Sequence, residues 1–235
     1  CLMCWMAVLR GVETSGKAVY VTSTMPYVFL TILVVRGVTL EGASDGIQFY
    51  LFGEVDEAGV HRLSMEKLMG IEVWQKAATQ IFYSLGIGFG SLIAFGSYNP
   101  RDEDIVLDAV LIPLINSGTS VFAGFAIFSL LGHMAHEQGT TVSEVAGDGG
   151  TGLAFIVYPD GLSHLPAATP ISICFFLMLF FLGFGSQFPT LEVPITMLKD
   201  SGVDVPQEKM TGLICLALFI PGLIMATDAG KYWVD

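Results

Sequence analysis

Residues 77–99 read AATQIFYSLGIGFGSLIAFGSYN. The stretch is long and apolar enough to cross a membrane, since about 20 helical residues span about 30 Å of hydrocarbon. Yet Gly86, Gly88 and Gly90 stand at alternate positions in its middle. One glycine there would be ordinary close packing between helices. Three of them, flanked by Gln80, Ser84 and Ser91, predict a locally unwound helix. Unwound backbone leaves N–H and C=O groups unpaired, which hydrocarbon tolerates only where they line a protected cavity. Broken helices of this kind build binding sites at the midplane of transporters. On this stretch alone, a glycine-lined helix crossing is the competing reading.

The remainder of the chain repeats the membrane signal. Of 235 residues, 53% are hydrophobic and only 14% charged, and mean hydropathy is +0.66. A soluble domain carries about 25% charged residues, so an all-α integral membrane protein is expected, held as a single transmembrane domain over residues 1–235. The spans are placed at about 18–35, 77–98, 105–131, 171–198 and 210–226, with Leu2–Leu9 as the tail of an earlier helix and Tyr232–Asp235 as the opening of a later one. The chain begins inside an apolar run without a Met, and reads as a fragment. Its partner is the lipid bilayer. Ten Lys and Arg against 22 Asp and Glu, a formal charge of −12, exclude nucleic acid. Cys1, Cys4, Cys174 and Cys215 lie in apolar tracts and imply neither a disulfide framework nor a redox pair.

The connections alternate. Gly11–Lys17, Asn99–Asp104 and Lys199–Lys209 are short, whereas Glu41–Lys76 and His133–Pro170 are long, acidic and hold all four histidines. The short ones concentrate Arg10, Lys17, Arg101, Lys199 and Lys209, which assigns them to the cytoplasmic side. Asp102, Glu103 and Asp104 before the third span suit a helix N-terminus. His133, His136 and Glu137 in GHMAHEQ do not match the H-E-x-x-H order of a zinc protease and are read as a solvated helix end.

Within the spans, Pro26, Pro113, Pro189, Pro194 and Pro221 each remove a backbone donor. Gln80, Ser84, Asn116, Ser120, Ser186, Gln187 and Glu192 place polar groups at bilayer depth, where an unpaired one costs several kcal/mol. Apart from Glu192 they are neutral. Their oxygens suit a hard cation such as sodium, and their O–H and N–H groups could hold a small anion. No nucleophile, base and acid come together, so catalytic residues, cofactors and an enzyme activity are not expected.

Taken in order, the segments TSGKAVYVTSTMPYVFLTILVVRGVTLEGASDGIQFYL (14–51), AATQIFYSLGIGFGSLIAFGSYN (77–99), LINSGTSVFAGFAIFSLLGHMAHEQG (114–139), GLAFIVYPDGLSHLP (152–166), LGFGSQFPTLEVPIT (182–196) and TDAGKYWVD (227–235) resemble the sodium- and chloride-dependent neurotransmitter symporters. Within them, INSGTS, FAGF, EQG and GLAFI-YP look most like the GABA, taurine, betaine and creatine branch. The resemblance implies a LeuT-like inverted-repeat transporter fold. In that frame the chain holds the end of helix 4, helices 5–9 and the start of helix 10, and lacks helices 1–3 and most of helices 10–12. It further implies sodium- and chloride-coupled symport of a small amino acid or amino-acid-like neurotransmitter or osmolyte across the plasma membrane, in a multi-pass protein, with oligomer formation left open. A non-transporting, truncated or incomplete member of the same family is the alternative.

The resemblance also assigns roles. Ser84 and Asn116 fall at the first sodium site, and Gln80, Ser84, Asn116 and Ser120 at the chloride site. Leu182 (through its carbonyl), Gly185 and Ser186 fall at the second sodium site. Tyr83, Ser84, Gly86, Phe89, Ser186 and Gln187 surround the solute pocket. Three departures stand out. Gly185 replaces an Asp found in many animal members, although glycine transporters can also have Gly there. PRDEDIVLD after Asn99 replaces an Asn-rich stretch, with only Asp108 matching. The outer loop 52–70 is longer than expected.

Overall fold

The computed structural model describes residues 3, 5, 6, 12–53, 68–102, 104–147, 152–227 and 230. Among these the regular structure is entirely helical: α1 (Val12–Val38), α2 (Ala43–Phe52), α3 (Ile71–Ser84), α4 (Ser91–Gly96), α5 (Ile105–Gln138), α6 (Val142–Ala146), a π-helical turn (Leu153–Val157), α7 (Tyr158–Ser163), α8 (Ala168–Asp200) and α9 (Gln207–Met225). Four segments are long and apolar enough to cross a membrane: Val19–Val38, Ile105–Gln138, Ala168–Asp200 and Gln207–Met225. The tract 77–98 is not one helix but two, α3 and α4, parted at the glycines. Both long connections contain helices too short to cross a membrane, α2 in the first and α6, the π-turn and α7 in the second. The Tyr232–Asp235 opening, most of Leu2–Leu9 and residues 54–67 of the outer loop lie outside the described residues.

Helix ends follow local chemistry. The acidic run before α5 ends in Asp104, whose side chain accepts from the Val106 N–H at 3.0 Å, satisfying a donor that the first turn leaves free. Gly139, at φ +66°, stops the same helix. Thr141 and Glu144 form a reciprocal capping box on α6. Pro26, Pro113, Pro189, Pro194 and Pro221 all sit inside long helices.

Contacts divide the chain into two compact units. The unit made of Pro26–Leu85 and Asp104–Leu179 is built on α5. Leu30 and Leu33 of α1, Leu130, Leu131 and Met134 of α5, Tyr158 and Leu162 of α7, and Phe175 of α8 form its buried core. Here α2 lies unusually close to α5. A Cβ on Gly46 would collide with the Phe128 carbonyl, and one on Gly132 with the backbone of Gly42 and Gly46. Tyr50 then covers Gly124 and stacks on Phe128, ring centres 4.7 Å apart. Small residues at a crossing let two backbones meet and larger neighbours lock the register. His133 is fixed from the same side, its Nδ1 2.8 Å from the Glu41 carbonyl, while His136 is exposed.

The unit made of Cys1–Met25, Gly86–Glu103 and Phe180–Asp235 packs Phe188, Leu191 and Ile195 of α8 against Met210 and Cys215 of α9, with Trp5 and Phe184 at its edge. Lys199 Nζ donates to Gln207 Oε1 at 2.6 Å across the turn that joins these helices.

Candidate functional site

The break in 77–99 has the backbone that its glycines foretell. Gly86, Gly88 and Gly90 adopt φ of +66°, +94° and +81°, values in the left-handed region that only glycine enters without penalty. The chain leaves α3 at Leu85, whose N–H still reaches the Ile81 carbonyl at 3.0 Å. It turns at Gly86, whose carbonyl accepts from the Phe89 N–H at 3.1 Å, and re-enters helix when the Ala94 N–H reaches the Gly90 carbonyl at 2.8 Å. The division between the two units falls at this break, between Leu85 and Gly86.

In the unit built on α5, the last residue of α3 meets the middle of α5. Ser84 Oγ donates to Asn116 Oδ1 at 3.1 Å and accepts from Asn116 Nδ2 at 2.8 Å. These two residues lie 32 apart in sequence, and the structure joins the pair assigned to the first sodium site. Ser120 follows Asn116 by one turn and donates to the Asn116 carbonyl at 3.1 Å. Asn116 and Ser120 line a cavity of about 450 Å³ with Tyr27, Ile115 and Thr119. Thr119 donates to the Ile115 carbonyl at 2.7 Å, so its single proton is in use and Tyr27 is the donor of the 2.8 Å Tyr27–Thr119 bond. Gln80 lies one turn before Ser84 on α3, and Tyr83 is exposed.

The other unit holds the rest. Phe89 is exposed in the break. On α8, Ser186 Oγ donates to the Leu182 carbonyl at 2.9 Å, and Thr190 Oγ1 donates to the Ser186 carbonyl at 3.0 Å. Gln187 is exposed on the same helix. A Cβ built on Gly185 would find Thr22 Oγ1 3.6 Å away, ordinary contact distance.

One polar cluster is invisible in the sequence. Glu192 of α8 is 2% exposed, and its Oε1 accepts from the Tyr98 hydroxyl at 2.7 Å. Tyr98 has spent its proton there, so Thr196 is the donor in the 3.0 Å bond between Thr196 and Tyr98. Glu192 and Thr196 share a helix face at i and i+4, which is legible. Their partner, 94 residues earlier, is not.

Comparison with known proteins matches this sequence to one family. The sequence profile of the Sodium:neurotransmitter symporter family matches residues 1–235. The "Sodium- and chloride-dependent neutral and basic amino acid transporter B(0+)" of Homo sapiens is 46% identical over 240 residues, covering 99% of this chain and 36% of that protein. Its Mus musculus counterpart agrees to the same extent, 46% over 240 residues. The "Sodium- and chloride-dependent glycine transporter 1" of Xenopus laevis is 45% identical over 237 residues. The chain thus spans about a third, 36%, of the length of the curated relatives it matches. With membrane-length helices, a glycine break and a profile matched from end to end, this membrane protein belongs to the sodium:neurotransmitter symporter family.

Proposed function

We propose that this polypeptide is the part of a plasma-membrane symporter that carries helices 5–9 of a LeuT-like inverted-repeat fold, and that the protein moves a small amino acid or amino-acid-like solute inward with sodium and chloride. The observation that carries the reading is the Ser84–Asn116 pair at the lip of the glycine break. Side-chain oxygens pair there beside a stretch of chain that has left the helix, oxygen ligands being what hard cations require and discontinuous helices what transporters build their sites from.

The roles are those the family resemblance implies, and donor chemistry supports them. Ser84 and Asn116 hold the first sodium through Oγ and Oδ1. Gln80, Ser84, Asn116 and Ser120 offer N–H and O–H groups to chloride. Leu182, Gly185 and Ser186 hold a second sodium. Tyr83, Ser84, Gly86, Phe89, Ser186 and Gln187 line the solute pocket, where the aromatic rings close on the solute and the unwound backbone pairs with its polar ends. The relatives are named for transport of neutral and basic amino acids and of glycine, which favours an amino acid. Ion binding beside the broken helix makes solute binding favourable in one orientation, and rocking of one helix bundle exposes the site to the other side.

The test is uptake into proteoliposomes holding the full-length protein of which these residues are part, with glycine, GABA, taurine, betaine and creatine as competing solutes. Uptake of at least one should vanish when choline replaces sodium and fall when gluconate replaces chloride. Uptake indifferent to both swaps refutes the coupling.

A further inference from the structure

We propose that Thr22 is a cation ligand, its hydroxyl oxygen supplying at the second sodium site what Gly185, having no side chain, cannot. The inference rests on the reading of Leu182, Gly185 and Ser186 as such a site and adds a residue from a different helix.

Three features of the structure carry it. Thr22 is 6% exposed, one of few buried polar residues among those described, and its Oγ1 lies 3.6 Å from the point where a Cβ of Gly185 would stand. The hydroxyl therefore occupies the side of Gly185 toward which any side chain at that position would point. Second, Thr22 is weakly engaged with its own helix. Thr24 and Thr31 return their protons to carbonyls one turn back at 2.6 and 2.7 Å, whereas Thr22 reaches the Val19 carbonyl at 3.3 Å, beyond the usual length of an O–H···O bond. Donating its proton backward leaves its lone pairs directed away, in the state a cation needs.

The third feature is covalent. Pro26 stands four residues after Thr22 and Pro189 four residues after Gly185. Proline has no N–H, so both carbonyls lack the donor that an α-helix would give them. The two facing residues thus hold three oxygens not claimed by i→i−4 backbone donors: one hydroxyl and two carbonyls. Ser186 Oγ, with its proton on the Leu182 carbonyl at 2.9 Å, adds a fourth. Neutral oxygens in this number suit a hard monovalent cation and neither a soft metal nor an anion.

The probe is sodium alone, read without transport. A ligand that binds only the folded protein raises its melting temperature with concentration, so the full-length protein in detergent is titrated with NaCl, with choline chloride holding ionic strength and chloride constant. Thr22→Val, which keeps the shape and removes the oxygen, should raise the sodium concentration for half the thermal shift at least fivefold. Thr22→Ser should return it toward the parent value, and Gly185→Asp in the Thr22→Val background should recover affinity by restoring an oxygen from a position whose Cβ meets Thr22 only at ordinary contact distance. Should Thr22→Val not fold, Thr22→Cys, which exchanges a hard oxygen for sulfur, must show the same shift. A sodium midpoint within twofold of the parent in whichever of these variants folds overturns the assignment, as does a Gly185→Asp variant that recovers nothing. A parent protein that shows no sodium-dependent stabilisation refutes the coupling reading itself, a result distinct from failure of Thr22.

Discussion

Ser84→Ala, Asn116→Ala and the double variant test the site where it is best defined. Ser84 both gives and receives a hydrogen bond with Asn116, at 3.1 and 2.8 Å. At about 0.5–1.5 kcal/mol net for each bond, the reciprocal pair contributes about 1–3 kcal/mol to holding the two groups in register. Since about 1.4 kcal/mol is a tenfold change in an equilibrium constant, either single substitution should raise the sodium concentration for half-maximal uptake between about fivefold and about 150-fold. The half-maximal chloride concentration should rise alongside, because the proposed sites for the two ions share these side chains. Once one partner is gone the other is misplaced, so the double variant should lose little beyond the worse single one, with a coupling energy of the order of the pair itself. The assay is initial uptake rate in proteoliposomes against sodium at fixed chloride, then against chloride at fixed sodium. Strictly additive losses, or a sodium shift with chloride activation untouched, would refute the argument that one hydrogen-bonded unit serves both ions.

Two further expectations concern backbone and burial. Gly88→Ala forces a side chain to φ +94°, a strain of about 1–3 kcal/mol; transport should fall sharply while surface expression persists, and unaltered uptake would mean that the break is not the working conformation. Tyr98→Phe strips the hydrogen bond from Glu192 Oε1, and Oε2 already has no partner among the described residues. A buried carboxyl with neither oxygen paired costs about 1–3 kcal/mol, more when charged, so the melting temperature in detergent should drop, and Glu192→Met added to Tyr98→Phe should recover part of it. An unchanged melting temperature in Tyr98→Phe would show that the pair is not what holds this part of the unit.

What could be read in advance was whatever a residue dictates to its own neighbourhood. Alternate glycines at 86, 88 and 90 permit a left-handed backbone that other residues resist, and the turn lies there. The acidic run ending at Asp104 caps α5 as its charge suggests. The 32-residue step from Ser84 to Asn116 became visible only through family resemblance, because no periodicity links the end of one helix to the middle of another. The helices α2 and α7 escaped notice for a different reason. They are too short to span a bilayer and lie in acidic connections, and the position of α2 depends on Gly42, Gly46 and Gly132, which admit a close approach that no periodicity announces. Tyr98 escaped because a buried carboxylate announces that it needs a partner but never which one.

The direction of hydroxyl protons separates the polar groups of the site further. Ser186 gives its proton to the Leu182 carbonyl, so its free lone pairs face outward, the orientation in which an oxygen receives a cation. Ser120 gives its proton to the Asn116 carbonyl, and in that rotamer it offers an anion nothing but lone pairs. A chloride ion must therefore turn the Ser120 hydroxyl away from the helix, and must draw the Asn116 amide N–H off Ser84. Releasing that N–H frees the Ser84 oxygen, whose lone pairs then become available to sodium. On the proposed assignment, chloride binding unmasks a sodium ligand, and sodium on Ser84 would in turn leave the Asn116 amide free for chloride. If these assignments hold, coupling between the two ions would follow from one shared hydrogen bond, and by linkage it would be equal in both directions.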